Sequence, residues 1–483
     1  EVRIDPTTER IAALVDILGS PQLTYPTIHV GGTNGKTTTT RMIDSLLFAH
    51  GLRTGRFTSP HLETYRERIS INGEPIDPKD LIFAYNDIAA YLDLMDEKFE
   101  HPISFFEAIT ALGFVAFAEH PVDVGVIEVG MGGQWDATNV VEADVSVLMP
   151  IGFDHMEYLG HTLHEIASTK AGIIKEGGFV VLAQQEPEAA KELIRKAAEV
   201  GADVVREGVE YSVASRAVAV GGQLLTIQGI HDTYDEIFLP LHGRHQAANA
   251  ASALVAVEAF FGDQPLDIDA VRAGFAAVTS PGRCEVVHRD PTVILYAAHN
   301  PHGAKALADT LLNEFNFDEI RIQKRIILIN NGIHPGESDG IDATMLLYRD
   351  IVQGKIEAPK NTVIVTIPIY NVGGSLNRNS TTRTNQNGPK EYGFRGNSRN
   401  FDLNRDFIKA DTKNAIAFAE IFHLINPDIF IDNHVSNGAD YQYGITHLFT
   451  QHNKLGNELG EFLETNMRPS IEASLLKKDI IIT

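Results

Sequence analysis

Short apolar segments rich in β-branched residues alternate with segments of helical period through most of the chain. The apolar runs PTIHV, VDVGVIEVG, ADVSVLMPI and GGFVVLA are separated by stretches such as PEAAKELIRKAAEVGA. Unbroken apolar runs are typical of strands buried on both faces, and the helical stretches between them favour parallel pairing. The pattern therefore predicts an α/β fold in which helices cover both faces of a parallel sheet.

The pattern changes at three places along the chain. From about 205 to 240, the polar–apolar alternation of YSVASRAVAVGGQLLTIQGI predicts small antiparallel strands at the margin of the first domain. Near 285–290 a new strand and helix begin, and from about 371 an Asn-rich stretch has no regular period. Such a long irregular stretch is typical of a functional or disordered segment. We predict three successive parts: 1–285, 286–317 and 318–483.

Composition excludes some classes of partner. The formal net charge of −24 argues against nucleic acid and anionic membranes, because such partners require clustered Lys and Arg. The single cysteine, Cys284, cannot form an intrachain disulfide, which is consistent with a reducing compartment. No apolar run reaches the roughly 18 residues of a transmembrane helix. We expect a cytoplasmic protein whose partner is neither nucleic acid nor a membrane.

The segment HVGGTNGKTTTT, residues 29–40, is typical of a phosphate-binding loop. Its glycines allow the backbone to approach an anion, and the helix that follows offers unpaired N–H groups. Val30 occupies the first glycine position of the common loop pattern, so a turn that binds nothing is the alternative. If the loop binds a nucleotide, Lys36 would lie against the outer phosphates and Thr37 near magnesium. The predicted nucleotide contacts are Gly32, Thr33, Asn34, Gly35, Lys36 and Thr37.

Further segments occur in the order found in one enzyme family. They are TSPHLETYRERISING, SFFEAIT, VIEVGMGGQWDATNVV, DHMEYLG, KAGIIK, HGRHQAANAASAL, PGRCEVV and AAHNPHGA. Together with GTNGKT, they resemble the folylpolyglutamate synthase/dihydrofolate synthase family of the Mur ligases over about residues 1–315. The resemblance implies a Mur-ligase-like central domain that binds ATP and folate within 1–285, and the start of a C-terminal domain within 286–317. It also implies a ligase that uses ATP to add glutamate to folate or dihydropteroate through an acyl phosphate.

The same resemblance implies roles for individual residues, each of which taken alone has an ordinary structural alternative. The magnesium ligands would be Ser59, Glu128 and His155. Lys170 matches a lysine that is carbamylated in the family, and Asn249 and Arg283 match ATP contacts. The implied catalytic residues are Lys36, Lys170, Arg283 and His299. The segments that contact the pterin contain Phe106, Glu107, Trp135 and Asp136. Three positions depart from the family pattern: Gln134, Thr169 and Tyr296.

A second kind of chemistry is indicated by NNGIHPGESDG, residues 330–340, which follows the apolar run RIILI. His334 and Glu337 could bind zinc through an imidazole nitrogen and a carboxylate oxygen. His434, at the end of IFIDNH, is the candidate third ligand because a strand end holds a side chain rigidly. An ordinary loop is the alternative for such a pair.

The segments HPGES, FDLNRDF and DNHVSNGADYQY occur in the order found in zinc carboxypeptidases. From about 318 to 483 the chain resembles the first part of that catalytic domain, which implies a truncated α/β domain. The resemblance implies that Asp402 orients a zinc-bound histidine. It also implies binding of a peptide's terminal carboxylate by Arg383, Asn404 and Arg405. The family's general base lies further beyond the last histidine ligand than this sequence extends, so we expect the base to be missing.

The two patterns meet near LLNEFNFDEIRIQKR, residues 311–325, so the chain resembles a chimera of two incomplete enzymes. An ATP-dependent ligase is the function we expect, with ATP and Mg²⁺ in the first part and Zn²⁺ in the second. Its substrates would be glutamate and folate or dihydropteroate. The alternatives are a zinc metallocarboxypeptidase acting on peptide C-termini, and a non-catalytic protein that retains only ATP or zinc binding.

Overall fold

In the computed structural model the chain forms two compact units, Glu1–Gln323 and Lys324–Thr483. The structure describes residues 5–262, 264–289, 292–296, 301–315, 317–382, 389–435 and 445–482. The segment 286–317 falls within the first unit, which ends at Gln323, inside the predicted meeting point at 311–325. One reason is Glu314, whose buried carboxylate pairs with Arg216 and His242 of that unit.

An eight-stranded sheet forms the centre of the first unit. Its strands are β1 Thr27–Gly31, β2 Thr54–Phe57, β3 Ile69–Ile71, β4 Glu74–Pro75, β5 Val124–Glu128, β6 Val145–Leu148, β7 Phe179–Leu182 and β8 Asp203–Arg206. Their order across the sheet is β4-β3-β2-β5-β1-β6-β7-β8. The six strands from β2 to β8 pair in parallel, and β3 and β4 pair antiparallel at one edge. The predicted α/β class with a parallel sheet is confirmed.

Helices cover both faces of this sheet. The helices of the first unit are α1 Glu9–Ile17, α2 Lys36–Ala49, α3 Pro78–Lys98, α4 Phe105–Glu119, α5 Met156–Leu159, α6 Leu163–Ala171, α7 Pro187–Glu199, α8 Arg244–Phe261, α9 Ile268–Ala276, α10 Pro301–Glu314 and α11 Phe317–Gln323. On one face, α2 and α8 pack on Val30 and Val126. On the other face, α3 and α4 pack on Phe57 and Ile127. Because successive strand residues point to opposite faces, β1 and β5 are buried throughout, as their unbroken apolar runs predict.

Two smaller sheets complete the first unit. The alternating segment forms a three-stranded antiparallel sheet from β9 Ser212–Ala219, β10 Gly222–Gln228 and β11 Thr233–Leu239, which confirms that prediction. A hairpin follows, with β12 Arg283–Arg289 and β13 Thr292–Tyr296. None of the helices in the ranges given above is long and apolar enough to cross a membrane.

The second unit is a smaller α/β structure. Its strands are β14 Arg325–Asn330, β15 Thr362–Ile367, β16 Arg378–Asn379, β17 Tyr392–Gly393 and β18 Ile429–Asp432. Its helices are α12 Asp339–Val352, α13 Val372–Leu376, α14 Lys413–Ile425, α15 His452–Leu455, α16 Asn457–Phe462 and α17 Arg468–Leu476. β14 lies between β15 and β18 and pairs in parallel with both. The loops that leave the carboxyl ends of β14 and β18 therefore lie side by side.

Candidate functional site

The loop between β1 and α2 lies at the carboxyl edge of the central sheet, where α/β proteins bind ligands. Gly32 and Gly35 have φ angles of +134° and +87°, which side chains with a Cβ rarely adopt. A Cβ on Gly32 would lie 2.7 Å from Cβ of Met149, and one on Gly35 would lie 2.7 Å from Oδ1 of Asn249. The two glycines therefore allow the loop to contact β6's end and helix α8, which carries the predicted ATP contact Asn249.

The rest of the loop is fixed by hydrogen bonds to the segment that follows β6. The backbone N–H groups of Thr33 and Asn34 donate to the carbonyl of Pro150 at 3.0 and 3.4 Å. The Thr33 hydroxyl donates to the carbonyl of Gly152 at 3.1 Å and accepts from its N–H at 3.0 Å. These hydrogen bonds fix the loop against the segment that follows β6.

Two lysines meet at one carbonyl of this loop. Nζ of Lys36 donates to the carbonyls of Gly32 at 3.2 Å and Thr33 at 3.4 Å. Nζ of Lys170, which is only 4% exposed, donates to the same Gly32 carbonyl at 2.8 Å. Burial, together with the nearby charge of Lys36, lowers the pKa of Lys170 from 10.5 to about 7. At neutral pH a large fraction of Lys170 is therefore an uncharged amine.

Glu128, the last residue of β5, is the carboxylate beside the loop. It is 1% exposed, its Oε1 accepts from the Thr37 hydroxyl at 2.7 Å, and its Oε2 accepts from the Ser59 N–H at 3.1 Å. Burial raises the pKa of Glu128, although the charges of Lys36 and Arg283 act in the opposite direction. A buried carboxylate joined to a hydroxyl offers two adjacent hard oxygens, which is the donor chemistry that Mg²⁺ prefers.

The remaining predicted magnesium and ATP residues lie in different settings. His155 begins α5 with a φ of +46°, its side chain is half-exposed, and its Nε2 lies 3.9 Å from Oδ2 of Asp154. Arg283 begins β12 directly opposite Tyr296 of β13. His299 lies outside the described residues. The charge of Arg283 thus acts on Glu128. His155 is half-exposed, unlike the buried Glu128 with which it is predicted to share the magnesium ion.

The predicted pterin residues divide into two groups. Phe106 and Asp136 meet at Gly130, where a Cβ would lie 2.4 Å from Cζ of Phe106 and 3.1 Å from Oδ2 of Asp136. Asp136 is buried, which raises its pKa, and it accepts from the N–H of Met131 at 2.8 Å. Trp135 is partly buried and, like Met131, packs against the hydrophobic cluster that contains Leu159 and Ile166. Phe106 of α4 therefore lies beside the segment 130–136, which carries Trp135 and Asp136.

Glu107 has a different environment, which the sequence did not indicate. Its carboxylate is buried, accepts from Nε of Arg10 at 3.1 Å, and accepts from the N–H of Ser104 at 2.8 Å as part of a helix capping box. No local pattern links Arg10 to a residue so distant in sequence. Asp154 was also missed, although it acts electrostatically on Lys170 and precedes His155 in the quoted segment DHMEYLG. Its position directly before His155 was the sequence signal that could have identified Asp154 as a site residue.

In the second unit, the loops after β14 and β18 bring three predicted ligands together. Nδ1 of His334 lies 3.0 Å from Oε1 of Glu337, and Nδ1 of His434 lies 2.8 Å from Oε2 of Glu337. A ligand atom from each of the three residues lies within 4.8 Å of the others. His334 and Glu337 are 3% and 4% exposed, and His434 lies at the surface. One imidazole–carboxylate–imidazole cluster results.

The second ring nitrogen of each histidine in this cluster contacts a further carboxylate. Nε2 of His334 contacts Oδ1 of Asp402 at 3.0 Å, and Nε2 of His434 contacts Oδ2 of Asp432 at 3.0 Å. The hydrogen bonds that His434 donates to the carboxylates of Asp432 and Glu337 raise the pKa of His434 to about 9. Such carboxylate–histidine contacts orient metal-binding histidines in proteins.

The residues predicted to bind a peptide make fewer contacts with the cluster of His334, Glu337 and His434. The N–H of Asn404 donates to Oδ1 of Asp402 at 3.0 Å, which ties it to the cluster. Nη1 of Arg405 donates to the carbonyl of Asn404 at 3.0 Å. Arg383 lies outside the described residues.

Comparisons with known proteins indicate the family of this chain. The family model of the Mur ligase middle domain matches residues 30–257. The dihydrofolate synthase/folylpolyglutamate synthase of Mycobacterium tuberculosis is 51% identical over 333 residues, which is 66% of this chain and 68% of that protein. The Bacillus subtilis protein of the same name is 37% identical over 323 residues, covering 66% of this chain and 75% of that protein.

Solved structures give the same result. A structure of Mycobacterium tuberculosis folylpolyglutamate synthase complexed with ADP and AMPPCP matches with a TM-score of 0.67 and 40% identity, over 89% of this chain and 86% of that chain. An AMPPCP–folate complex of a folylpolyglutamate synthase matches with a TM-score of 0.65 and 31% identity, over 75% of this chain and 93% of that chain. These similarities support the predicted ligase and do not show the predicted zinc carboxypeptidase-like domain or a chimera.

Proposed function

This chain belongs to the dihydrofolate synthase/folylpolyglutamate synthase family of Mur ligases, and from that premise we propose that the residues around Glu128 hold its magnesium and ATP. The chain is an ATP-dependent ligase that adds glutamate to folates. The single observation that carries the site proposal is the partly buried hydrogen bond between Glu128 and Thr37 beside the phosphate-binding loop. The relatives' complexes with ADP, AMPPCP and folate support nucleotide and folate binding at the corresponding unit.

The ligase reaction proceeds in two steps. An oxygen of the substrate carboxylate attacks the γ-phosphorus of ATP, the bond to the bridging oxygen breaks, and ADP leaves with that electron pair. The amine of glutamate then attacks the carbonyl carbon of the acyl phosphate, phosphate leaves, and the amine loses a proton. Phosphoryl transfer of this kind depends mainly on positioning and on neutralising negative charge.

The chain's own residues provide both. The glycine-rich loop and the N-terminus of α2 receive the phosphates, and Lys36 and Arg283 supply positive charge. Asn249, beside Gly35, limits the space on the α8 side of the nucleotide. Hydrogen bonds to Pro150 and Gly152 hold the loop in position for this role.

Glu128 and Thr37 would hold the magnesium ion, with Ser59 and His155 as further ligands. Magnesium, when bound, neutralises charge on the phosphates. Lys170 fits the implied carbamylation, because an uncharged amine can form an N–C bond with carbon dioxide and release a proton. Its pKa near 7 makes that form abundant at neutral pH. Phe106, Trp135 and Asp136 would contact the pterin, with Asp136 offering the buried hydrogen-bonding group.

The experiment that tests this function measures ADP formation with folate and glutamate supplied together or singly. The wild-type protein should release ADP rapidly only when both are present, and the extended folate product should be identified by mass spectrometry. The Lys36→Ala variant should lose this turnover. ADP release that is independent of glutamate, or equal turnover in the variant, would contradict the proposal.

A second candidate function rests on a separate observation, the cluster of His334, Glu337 and His434. We propose that these three residues bind zinc, since both Nδ1 atoms face the Glu337 carboxylate and both Nε2 atoms contact carboxylates. Zinc, when bound, would polarise a carbonyl or a water molecule. Asn404 and Arg405, with Arg383, would bind the terminal carboxylate of a peptide.

Elemental analysis after dialysis tests the zinc site. The wild-type protein should retain stoichiometric zinc, and His334→Ala should lose it, while His423→Ala, on the exposed side of α14, should keep it. Hydrolysis of peptide C-terminal residues by the zinc-loaded protein would favour a metallocarboxypeptidase over simple zinc binding. Equal zinc in all three proteins would show that other residues bind the ion.

A further inference from the structure

Glu314, the last residue of α10, is a buried acid that the ligase mechanism does not use. Its side chain is 1% exposed. One carboxylate oxygen accepts from Nη2 of Arg216 on β9 and from the N–H of Gly243 at 2.9 Å, and the other accepts from Nδ1 of His242 at 3.1 Å. Burial acts to raise the pKa of Glu314, but its hydrogen bonds with His242 and Arg216 hold that pKa below its usual value. Glu314 is therefore an anion at neutral pH.

A second buried side chain binds the backbone of Gly243. Gln223 of β10 is fully buried, its Nε2 donates to the Gly243 carbonyl at 3.2 Å, and its Oε1 accepts from Nε of Arg216. Both backbone groups of Gly243 are thus bound by side chains, the N–H by Glu314 and the carbonyl by Gln223. Helix α10 also packs closely here, because a Cβ on Gly243 would lie 2.6 Å from Oγ1 of Thr310. The position of Gly243 is therefore fixed by α10 and by the antiparallel sheet.

Gly243 directly precedes α8, the helix that carries Asn249. At the rise of an α-helix, Asn249 lies about 9 Å along the axis from Gly243. Its Nδ2 donates to Oε1 of Gln246 at 3.0 Å, which orients the amide. Its Oδ1 faces the phosphate-binding loop, since a Cβ on Gly35 would lie 2.7 Å from it. A displacement of Gly243 would therefore move Asn249, because a helix transmits displacement over so short a distance.

The phosphate-binding loop has a different attachment. The N–H of Thr33 donates to the carbonyl of Pro150 in the segment after β6, at 3.0 Å. The loop is thus held by the central sheet, whereas the start of α8 is held by Glu314. The distance between Asn249 and the loop depends on both attachments. An error of about 1 Å in such a distance is enough to weaken a catalytic arrangement substantially.

We propose that Glu314 is a positioning residue for ATP, which holds Gly243 and so places Asn249 of α8 against the phosphate-binding loop. The proposal rests on the ligase function given above, in which Asn249 contacts the nucleotide. Glu314 itself touches no substrate and acts through the backbone of Gly243. Because coupling between two sites is reciprocal, a nucleotide that binds at Asn249 should in turn stabilise the hydrogen bond between Gly243 and Glu314.

Steady-state kinetics with ATP and folate varied separately test the proposal. Glu314→Leu removes every acceptor for the Gly243 N–H, and we expect it to raise KM for ATP about 10- to 100-fold. KM for folate and kcat should change much less. Glu314→Gln keeps a carbonyl oxygen that can accept from Gly243, so its KM for ATP should stay close to the wild-type value.

Glu258→Leu is the matched control. Glu258 is fully buried and also has three donors, the N–H groups of Ile230 and His231 and the hydroxyl of Tyr234. It lies on α8 as well, but near the end of the helix that is distant from Gly243. Its loss should lower stability and leave KM for ATP unchanged. An equal rise of KM for ATP in Glu258→Leu and Glu314→Leu would overturn the proposal.

Hydrogen exchange of the wild-type protein tests the same coupling without any variant. Saturating ADP with Mg²⁺ should slow exchange of the Gly243 amide and leave that of the Ile230 amide, which donates to Glu258, unchanged. A Gly243 rate that ADP does not change would overturn the proposal by itself.

The kinetic results can also overturn the proposal while the ligase function stands. They would do so if Glu314→Leu kept the wild-type KM for ATP, if it raised KM for ATP and folate equally, or if Glu314→Gln were as impaired as Glu314→Leu. Wild-type protein without turnover that requires both folate and glutamate would instead overturn the ligase function, and the role of Glu314 with it.

Discussion

The hydroxyl of Thr37, at the start of α2, donates a 2.7 Å hydrogen bond to Oε1 of Glu128, the last residue of β5. The two residues are 91 positions apart in sequence. They meet because β5 and β1 are parallel neighbours, so that the end of β5 and the loop after β1 share one edge of the sheet. This contact joins the phosphate-binding loop to a buried acid on which the charges of both Lys36 and Arg283 act.

Removing either member of this pair should abolish most of the ligase activity. We expect Thr37→Val and Glu128→Gln to lower kcat/KM for ATP by about 100- to 1000-fold, because each removes a hard oxygen from the proposed magnesium site. Thr37→Ser keeps the oxygen and should retain most of the activity. Coupled measurement of ADP release at varied magnesium concentrations checks this, and a fully active Thr37→Val protein would contradict the site.

Lys170 should make stability depend on pH in a defined direction. Its folded pKa, about 7, lies below its usual 10.5, so between these values the unfolded chain binds more protons than the folded one. Stability should therefore rise as pH rises from about 7 toward about 10, and this contribution should be absent in Lys170→Met. Urea unfolding of both proteins in buffer free of carbon dioxide gives the difference. A difference that shrinks as pH rises would contradict the burial of an uncharged amine.

We expect Glu107 to contribute to the stability of the fold rather than to the binding of substrate. Its carboxylate is buried against Arg10 and the Ser104 N–H, and loss of one partner of a buried ion pair typically costs about 3 to 5 kcal/mol. We expect Glu107→Ala to lower the free energy of unfolding by about 3 kcal/mol. Glu119→Ala, at the exposed end of the same helix, should change it little. A normally stable Glu107→Ala protein with a raised KM for folate would instead favour direct contact with the pterin.

Asp402 should tune the proposed zinc site without ligating the ion. It contacts Nε2 of His334 and also accepts from Nε of Arg395 at 2.9 Å. We expect Asp402→Asn to weaken zinc binding by about 10- to 100-fold, which is the usual effect of losing such an orienting carboxylate. Competition with a chromophoric chelator measures the affinity. Unchanged affinity would mean that His334 is oriented by other contacts or does not bind the ion.

Much of the local structure of the first unit follows from sequence patterns. The buried runs predicted β1, β5, β6 and β7, and the loop chemistry predicted that a helix starts at Lys36. The alternation after 205 predicted the antiparallel sheet. These features depend on residues that are near one another in the chain, so periodicity and turn chemistry report them directly.

Contacts between distant segments could not be predicted in this way. Lys170 reaches the Gly32 carbonyl across 138 residues, and Arg10 reaches Glu107 across 97. Such pairs form only when helices pack on a sheet, and neither partner carries a local signal of it. The same reason explains the junction segment: Glu314 is bound by Arg216 and His242, so 286–317 remains with the first unit.

The central claim is that the ligase forms an acyl phosphate. It is tested most directly by following an oxygen atom of the substrate carboxylate into the products. Folate with heavy oxygen in its reacting carboxylate is incubated with the protein, ATP and glutamate, and the products are analysed by mass spectrometry. An acyl phosphate requires one labelled oxygen to leave with phosphate, so the account predicts labelled phosphate formed in step with glutamylated folate. Glutamylation with unlabelled phosphate, or with the label in AMP, would contradict it.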